Sequence, residues 1–486
     1  MGVGIAAAYV IIAPEVSGQT SCLCTPAPGD LFREDIRPYR CLAVPFESSV
    51  AAGWCTAEQL ARARGEMTKR IRSVKGTRDI LPPDSAVWTA VEVAARRVFA
   101  SYGYREIRTP ILESTELFVR GVGEASDIVG KEMYSFEDRK GRKLTLRPEG
   151  TAAVVRAFLE AGLQDGPLPE RLYYIGPQFR YERPQKGRYR QFYQIGAEVL
   201  GDPGPVVDAE LILMLLRFLG VLGFEDLVLR LNTVGDVASR DAYRQALRDY
   251  FEPVREQLGS DSQRRLDSNP LRILDSKDPQ DQEFVAGAPN LGDHLSAESQ
   301  ALFKGVCEIL DAFSVPYRVD PRLVRGLDYY AHTVFEIASE GLGAQDAIVG
   351  GGRYDGLVSS LGGPDLPAIG FAIGQDRLVS ALSEDFVSEA NAVAPVFVVP
   401  IGHEAVLPAL RVAEELRSAG VEAATEVRPR SLRAALKRAD RSGLRYVVLL
   451  GEDEVASGQL TLKDLESGEQ HSLSLEELVE MVGETS

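Results

Sequence analysis

Residues 179–200, FRYERPQKGRYRQFYQIGAEVL, predict a β-hairpin with a basic loop, and this hairpin decides the fold. Arg180 and Glu182 stand two residues apart at the end of the first strand, so an extended backbone points both to one face. Period-two alternation gives the second strand a face with a ring, an amide, a glycine and a carboxylate. These are Phe192, Gln194, Gly196 and Glu198. Such a face suits a small polar molecule.

The loop between the two strands is crowded with cations, which only solvent or a polyanion would accommodate. Its basic residues are Arg183, Lys186, Arg188 and Arg190. A charged hairpin with an ordinary polar face is the simplest alternative, because charge runs on protein surfaces are usually solvated. The amide, glycine and carboxylate opposite the Arg-x-Glu pair favour instead a small-molecule site beside a phosphate site.

Length and composition describe a globular chain with room for two or three domains. Of the 486 residues, 45% are hydrophobic and 26% are charged. No apolar run approaches the roughly 20 residues needed to cross a membrane, so we expect no membrane partner. The net charge of −17 does not exclude nucleic-acid binding, because local basic patches decide that question.

The first 66 residues differ in character from the rest of the chain. They show no sustained period, and a signal peptide fits poorly because no positive charge precedes the apolar stretch 5–13. The globular pattern begins after Met67, so we interpret residues 1–66 as a disordered extension or an over-extended reading of the gene. Four of the five cysteines lie here: Cys22, Cys24, Cys41 and Cys55. Their irregular spacing makes zinc binding the weaker interpretation, so we expect no metal site. The rest of the chain has only Cys307, which predicts a reducing, cytoplasmic location.

The remaining chain divides into a core over residues 67–390 and a smaller unit over residues 391–486. The core pattern is α+β, with antiparallel, meander-like strands, helices at the edges and a helix-rich insertion at about 235–318. In the smaller unit, strands alternate with helices, which predicts a three-layer α/β module. Basic residues gather before and on its second helix, among them Arg430, Arg433 and Lys437. They predict an RNA-binding stripe or, alternatively, a solubilising helix face.

Residues 144–151, LTLRPEGT, predict a strand that ends in a turn before a helix. Glu149 and Thr151 flank Gly150. A carboxylate beside a hydroxyl suits the ammonium group of an amino acid, which needs two or three hydrogen-bond acceptors. Capping of the following helix by Thr151 explains the same residues equally well, so the segment alone leaves both interpretations open.

Three further segments place glycine beside charged or aromatic residues. RLVRGLDYY, residues 322–330, combines Arg325 with a tyrosine pair; the arginine fork matches phosphate oxygens, although a surface turn is the simpler alternative. GGGRYDGL, residues 350–357, predicts a glycine-rich turn into a helix. GFAIGQDR, residues 370–377, predicts a small-residue strand that runs into a helix with Arg377 on its first turn.

Taken together and in this order, these segments resemble those of the class II aminoacyl-tRNA synthetases, and specifically the histidyl-tRNA synthetase family. The resemblance implies an antiparallel sheet core with a helical insertion, a C-terminal three-layer α/β anticodon-binding domain, and a homodimer formed through about residues 87–110. It implies a histidine–tRNA ligase that activates L-histidine with ATP and transfers it from histidyl-adenylate to the 3′ end of histidine tRNA. ATP is then a substrate, and Mg²⁺ is expected with it.

For ATP, the resemblance implies one role for each of five residues. Arg180 contacts the α-phosphate, and Arg188 reaches toward the γ-phosphate. Glu182 contacts the adenine edge. The adenine ring stacks between Phe192 and Arg377, a sandwich that suits a flat ring and a planar guanidinium.

For histidine, the resemblance implies a polar cluster around the ammonium group and two contacts to the imidazole nitrogens. The ammonium cluster is Glu149, Gly150, Thr151 and Gln194. The ring contacts are Glu198 and Tyr330, with Tyr329 and Tyr354 lining the pocket. Arg325 lies beside both substrates in this picture, neutralises the α-phosphate and is catalytic together with Arg180. Gly196 fits because a side chain there would fill the space of the ring.

For tRNA, the resemblance implies that loop cations meet the acceptor end and that the C-terminal cations meet the anticodon arm. These residues are Arg183, Lys186, Arg190, Arg430, Arg433 and Lys437.

One rival function is that of the regulatory subunit of ATP phosphoribosyltransferase, a non-catalytic relative that typically lacks the anticodon module. A generic nucleic-acid-binding module is the other rival, and it leaves the face with Gln194 and Glu198 unexplained. Histidine-dependent ATP–pyrophosphate exchange separates the enzyme from both.

Overall fold

The computed structural model describes most of the chain after residue 70 and three short stretches before it. The described residues are 22–24, 40–43, 53–54, 71–123, 126, 128–183, 187–274, 276–323, 329–339, 347–391, 396–426 and 431–483. The chain divides into two units, Met1–Val74 and Lys75–Ser486.

The first unit contains one small antiparallel sheet in the order β1-β2-β3. Its strands are β1 (Cys22–Cys24), β2 (Arg40–Ala43) and β3 (Gly53–Trp54). The start inferred at Met67 and the side chains of the four N-terminal cysteines lie outside the described residues. The interpretation of residues 1–66 therefore stays a prediction.

Before residue 391, the described part of the second unit contains eleven strands. They are β4 (Arg105–Glu106), β5 (Leu112–Ser114), β6 (Tyr134–Glu137), β7 (Lys143–Leu146), β8 (Glu170–Phe179), β9 (Gln191–Leu200), β10 (Leu227–Thr233), β11 (Tyr317–Val319), β12 (Ala331–Ser339), β13 (Ala347–Arg353) and β14 (Ala368–Gly374). Eight form one sheet in the order β11-β10-β12-β13-β14-β9-β8-β4, which is antiparallel except for the edge pairs β10/β11 and β4/β8. The predicted antiparallel core is confirmed.

The helices of this part flank the sheet or form the insertion. They are α1 (Asp84–Ser101), α2 (Thr115–Val122), α3 (Thr151–Glu160), α4 (Pro205–Val221), α5 (Val237–Phe251), α6 (Ser260–Ser268), α7 (Pro279–Ala286), α8 (Ala297–Ala312), α9 (Leu357–Ser360), α10 (Gln375–Ser380) and α11 (Glu384–Asn391). Short 3₁₀ segments, among them Pro270–Ile273, connect the insertion helices.

Strand alternation decides which face of the sheet is packed. The odd-numbered residues of β9, Ile195, Ala197 and Val199, are buried in one cluster with residues of α1 and α4. Burial contributes about 1.5–3 kcal/mol for each large apolar side chain in such a cluster. The even-numbered residues of β9 consequently face the other way, as the sequence predicts, and this leaves the opposite face of the sheet for a site.

The insertion has a core of its own. Tyr243, Leu247 and Phe251 follow helical spacing on α5 and are buried with Leu266, Val285 and their neighbours. After α8 the chain returns as β11 and adds a parallel strand to the edge of the main sheet beside β10. The insertion is thereby anchored to the sheet at both of its ends.

One local prediction is wrong. Residues 350–353 are not a turn but the end of β13, which is paired with β12 and β14 on both sides. A Cβ at Gly351 would lie 2.4 Å from the Phe335 ring and 2.6 Å from the Gly370 carbonyl oxygen, so glycine serves close packing here.

The C-terminal part is a five-stranded mixed sheet in the order β16-β15-β17-β18-β19. Its elements are β15 (Val396–Pro400), α12 (Val406–Ser418), β16 (Ala423–Thr425), α13 (Leu432–Arg441), β17 (Tyr446–Leu450), α14 (Glu452–Ser457), β18 (Leu460–Asp464), β19 (Gln470–Leu473) and α15 (Leu475–Gly483). One face packs on α12 and α15, and the other face packs on α13. The three-layer prediction is confirmed. Across the described residues, no helix is both long and apolar enough to span a membrane.

Candidate active site

A cavity of about 970 Å³ opens on the face of the main sheet that the helices α1 and α4 leave uncovered. Most of the candidate residues that the structure describes line this one cavity. They are Glu149, Thr151, Arg180, Glu182, Arg188, Phe192, Gln194, Tyr329, Tyr330, Tyr354 and Arg377. The hairpin β8–β9 supplies the floor, and the loop after β8 supplies the cations. The structure thus joins segments that are up to about 230 residues apart in the sequence.

Glu198 lies just beneath the surface of this cavity and is fully buried. The Thr151 hydroxyl donates to one of its carboxylate oxygens over 2.7 Å, and the Tyr354 hydroxyl donates to the other over 2.5 Å. Burial raises the pKa of Glu198 to about 8, despite these two hydrogen bonds. Gly370 makes this placement feasible, because a Cβ there would lie 1.7 Å from a Glu198 carboxylate oxygen.

Glu149 caps a helix and also lines the cavity. Its carboxylate accepts hydrogen bonds from the backbone N–H groups of Thr151 at 2.7 Å and Ala152 at 2.8 Å. Glu149, rather than Thr151, therefore satisfies the first N–H groups of α3. It also lines the cavity, where burial raises the pKa of its carboxyl. The Thr151 hydroxyl is left to bond Glu198.

Gly196 does not leave the empty space that the sequence suggested, and the space at Gly150 is filled in the same way. A Cβ at Gly196 would lie 2.3 Å from the Tyr174 ring, and a Cβ at Gly150 would lie 2.2 Å from it. The Tyr174 ring therefore occupies the space above both glycines. The expected gap for a ligand ring at Gly196 is wrong for this structure. Gly150 makes room for Tyr174 rather than for a substrate.

Tyr174 is the residue that sequence reasoning missed at the centre of the site. It lines the cavity, is buried, and its hydroxyl has no hydrogen-bond partner among the described residues. Tyr174 is the direct cross-strand partner of Gly196 in the β8–β9 ladder. The pairing of these two residues depends on the register of the hairpin, which is seen only in the structure.

The side of the cavity next to the hairpin loop gathers two arginines around one carboxylate. Glu182 lies 3.3 Å from the Arg188 guanidinium and 3.9 Å from that of Arg180. The Arg180 guanidinium also lies 5.2 Å from the centre of the Phe192 ring and donates to the Pro148 carbonyl oxygen at 2.9 Å. The predicted grouping of these residues on one face is therefore observed.

Arg377 approaches the same region from α10. Its guanidinium donates to the Ala347 carbonyl oxygen at 3.0 Å, and burial lowers its pKa. Arg188 contributes to the same lowering through charge repulsion, so the two guanidinium groups influence each other across the cavity. Such a concentration of positive charge favours an anion.

The residues predicted to contact nucleic acid differ in their surroundings. Arg183 is exposed at the end of the hairpin, whereas the Arg190 guanidinium lies 3.9 Å from the centre of the Tyr181 ring. The Arg190 backbone N–H also donates to the Gly76 carbonyl oxygen at 2.7 Å, so Arg190 is fixed within the loop. Lys186, Arg325 and Arg430 lie outside the described residues.

On α13 the basic side chains separate into two groups. Arg433, Lys437 and Arg441 follow i, i+4 spacing and are exposed. Arg438 is also exposed, but it donates to the buried Glu426 carboxylate at 2.7 Å. One of the exposed cations of this helix is therefore paired within the protein.

Another group of cavity-lining residues was also not predicted from the sequence. It contains Arg272 and Lys277 from the insertion and Arg322 from the segment after β11. Arg230 and Glu336, on neighbouring strands, form an ion pair at 3.1 Å and belong to the same group. These residues carry no recognisable local motif, because they come together only through the return of the insertion to the sheet.

Comparison with known proteins identifies the family. The model of the histidyl-tRNA synthetase family matches residues 76–378, and a model described as an anticodon binding domain matches residues 395–485. The histidine–tRNA ligase of Synechococcus sp. (strain JA-3-3Ab) is 50% identical over 409 residues, which are 84% of this chain and 98% of the relative. That of Alkalilimnicola ehrlichii is 51% identical over 415 residues, 85% of this chain and 96% of the relative.

Solved structures agree with the sequence relatives. The structure of apo histidyl-tRNA synthetase from S. aureus superposes with a TM-score of 0.70 at 39% identity, over 85% of this chain and 99% of that one. The structure of histidyl-tRNA synthetase from Nostoc sp. PCC 7120 has the same fold, with a TM-score of 0.65 at 24% identity, over 86% of this chain and 100% of that one. The chain therefore belongs to the histidyl-tRNA synthetase family of aminoacyl-tRNA ligases.

Proposed function

We propose that the cavity activates L-histidine with ATP and that the histidyl group is then transferred to the 3′ end of histidine tRNA. The observation that carries this proposal is the position of the Thr151–Glu198–Tyr354 cluster beneath a cavity whose other side holds Arg180 and Arg188, each beside Glu182. The first group suits a polar amino-acid side chain, and the second suits a nucleotide phosphate. Both belong to one cavity, as a reaction between the two substrates requires.

Histidine is recognised in this proposal by hydrogen bonds at both ends. Gln194 has a buried amide oxygen with no partner among the described residues, and with Glu149 and Thr151 it supplies acceptors for the ammonium group. Tyr330 and Glu198 bond the imidazole nitrogens. The Glu198 carboxylate already accepts hydrogen bonds from the hydroxyl groups of Thr151 and Tyr354. The imidazole ring therefore bonds to the remaining lone pairs of the Glu198 carboxylate oxygens.

ATP binds in the part of the cavity that lies next to the hairpin loop. Adenine stacks between Phe192 and Arg377, with its edge on Glu182, while Arg188 neutralises the γ-phosphate. The histidine carboxylate attacks the α-phosphorus in line, and pyrophosphate leaves. No side-chain nucleophile takes part, so Arg180 and Arg325 act by neutralising charge on the α-phosphate.

Mg²⁺ accompanies ATP in this proposal. Mg²⁺ usually keeps several waters and is held largely by substrate phosphates, with one or two carboxylates at most. Among the described residues no three Asp, Glu, His or Cys side chains are grouped as metal ligands. The donor set at the cavity therefore fits an ion carried by the nucleotide rather than one resident in the protein.

In the second step the terminal ribose hydroxyl of tRNA attacks the carbonyl carbon of the adenylate, and AMP leaves. Arg183 and Lys186 meet the acceptor end, and Arg430, Arg433 and Lys437 track the anticodon arm. Arg190 contributes indirectly, because its contacts with Tyr181 and Gly76 fix the shape of the loop.

The assembly proposed is a cytoplasmic homodimer formed through residues 87–110. Ile111 and Leu112, next to this segment, are 43% and 44% exposed, which is consistent with an apolar surface that a second copy covers. The oligomeric state is measurable by light scattering at micromolar concentration.

ATP–pyrophosphate exchange tests the proposed function. The protein is incubated with ATP, Mg²⁺, labelled pyrophosphate and each of the twenty amino acids in turn. We expect exchange with histidine only, followed by charging of a histidine tRNA transcript when tRNA is added. Histidine binding without any exchange would contradict the proposal and would indicate a regulatory relative instead.

A further inference from the structure

His332 occupies an unusual backbone position two residues after Tyr330. Its φ of 49° lies in the left-handed region, where residues other than glycine are uncommon. The pairing of β12 with β13 shifts register between Ala331 and Val334, so His332 lies in a β-bulge. Bulges beside a site commonly redirect a side chain, and a strained backbone persists where its surroundings hold it in place.

Contacts on every side hold His332. Its backbone N–H donates to the Gly235 carbonyl oxygen at 2.8 Å, and its own carbonyl oxygen accepts from the Val234 N–H at 2.8 Å. The imidazole Nδ1 lies 3.2 Å from the Ser299 hydroxyl, and Nε2 lies 3.8 Å from the Asp355 carboxylate. His332 therefore connects the insertion, through Ser299 of α8, with the segment that carries Tyr354.

The protonation state of the His332 imidazole follows from its surroundings. Burial lowers the pKa of His332, although the neighbouring Asp355 opposes the change. A neutral imidazole has one donor and one acceptor nitrogen. The Ser299 oxygen already accepts from the Asp236 N–H at 3.1 Å, so its hydroxyl hydrogen is available for Nδ1. We assign the remaining N–H to Nε2, facing Asp355.

On the insertion side, the same network joins the first turns of two helices. The Asp236 carboxylate caps α5 by accepting from the Ser239 N–H at 2.7 Å, and it also accepts from the Ser296 hydroxyl at 2.6 Å. Ser296 in turn caps α8, where its hydroxyl accepts from the Ser299 N–H at 3.1 Å. These hydrogen bonds connect the beginnings of α5 and α8 to the His332 imidazole.

On the side of the amino-acid pocket, His332 faces a rigid segment. The Asp355 carboxylate accepts a hydrogen bond from the Ala368 N–H at 3.0 Å and lies 3.4 Å from the Arg353 guanidinium. Arg353 is fully buried and forms an ion pair with the buried Asp208 at 2.7 Å. Tyr354, between Arg353 and Asp355, donates to Glu198. A second link from the insertion is the donation by the Arg240 guanidinium to the Tyr330 carbonyl oxygen.

We propose that His332 is a positioning residue that couples the helical insertion to the histidine pocket by fixing Tyr330 and Tyr354. The inference rests on the proposed function, because it takes those two tyrosines as contacts of the bound amino acid. His332 itself touches neither substrate. Its loss therefore weakens the use of histidine and leaves the use of ATP nearly unchanged.

His332→Gly is the decisive variant. Glycine adopts the left-handed conformation without strain, so this change removes the imidazole bridge and keeps the backbone. We expect the KM for histidine in ATP–pyrophosphate exchange to rise at least about fivefold, while the KM for ATP changes less than about twofold. The thermal midpoint of the variant should not fall below that of the wild type by more than a few degrees.

A matched control and a second variant complete the test. Ser314→Gly changes the other non-glycine residue with positive φ among the described residues, and both KM values should remain at the wild-type level. Ser299→Ala removes only the partner on the insertion side and should raise the KM for histidine in the same direction. The double variant His332→Gly/Ser299→Ala should show no further increase, because both changes break one bridge.

The inference is overturned if His332→Gly and Ser299→Ala both keep the wild-type KM for histidine, or if the two KM values rise together. Failure of the proposed function is a separate result, since the wild-type protein would then show no histidine-dependent exchange at all.

Discussion

Replacing Glu198 by glutamine should stabilise the free protein while it removes histidine activation. The Glu198 carboxyl is fully buried, and both of its hydrogen-bond partners in the described part of the chain are hydroxyl groups. Burial raises its pKa from an ordinary value of 4.5 to about 8. The folded state therefore binds the proton more tightly than the unfolded chain does, and ionisation of Glu198 opposes folding.

The sign and size of the effect follow from this shift. The stabilising contribution of the protonated carboxyl is fully present below pH 4.5 and is lost as the pH rises through about 8. One pKa unit corresponds to about 1.4 kcal/mol, so the loss is at most about 3 kcal/mol at pH 7 and about 5 kcal/mol above pH 8. Glutamine cannot ionise and escapes this loss, although its amide bonds the two hydroxyls less well.

Urea unfolding of the free protein at pH 5, 7 and 8.5 measures the difference. We expect Glu198→Gln to be less stable than or equal to the wild type at pH 5 and more stable by about 1–3 kcal/mol at pH 8.5. Histidine-dependent exchange should fall by at least about a hundredfold at pH 8.5, where the Glu198 carboxyl is ionised, because a neutral amide cannot replace the charged acceptor. Stability and activity thus change in opposite directions.

Asp281→Asn is the matched control with the opposite sign. Burial alone would raise the pKa of Asp281, but hydrogen bonds from Ser262, Ser276 and the Gly259 N–H lower it. The ionised form is therefore favoured by folding, and the asparagine variant should be less stable at pH 7 and above. A Glu198→Gln variant that loses as much stability at pH 8.5 as at pH 5 would refute the reasoning about Glu198.

Three other predictions concern packing, a buried charge and tRNA. Gly196→Ala should lower the free energy of unfolding by about 1–3 kcal/mol, because the added Cβ meets the Tyr174 ring. A change in the KM for histidine without loss of stability would contradict this and would indicate an open space for a ligand ring at Gly196. Arg353→Met should destabilise by about 3–5 kcal/mol in urea unfolding, since it leaves a buried carboxylate without its partner; wild-type stability would contradict this. Arg433→Ala with Lys437→Ala should raise the KM for tRNA, reduce its salt dependence and leave ATP–pyrophosphate exchange unchanged; an equal loss of exchange would exclude a tRNA role.

Local periodicity was sufficient for the parts of the site that lie on one strand. The alternation over residues 192–199 predicts which side chains of β9 face the packed helices and which face the cavity, and the structure follows it. The prediction for residues 350–353 was wrong because glycine has little strand preference of its own. Pairing on both sides and close packing under Phe335 override that preference.

Features that depend on distant pairing were not accessible from the sequence. The role of Gly196 depends on Tyr174, which belongs to the other strand of the hairpin and is identified only when the register is known. Arg190 looks like a solvated loop cation, yet Tyr181 holds it. The bridge at His332 joins Ser299 of the insertion to Asp355 after β13, and no local pattern predicts that arrangement.

The central claim is that this pocket recognises histidine by hydrogen bonds to the imidazole nitrogens. The most direct test compares kcat/KM for histidine and for β-(2-thienyl)alanine in ATP–pyrophosphate exchange by the wild-type protein. The thienyl ring is of similar size but has no nitrogen to bond Glu198 or Tyr330. We predict at least about 10⁴-fold discrimination, because buried polar groups of the pocket would be left unpaired. Discrimination of about tenfold or less would contradict the account.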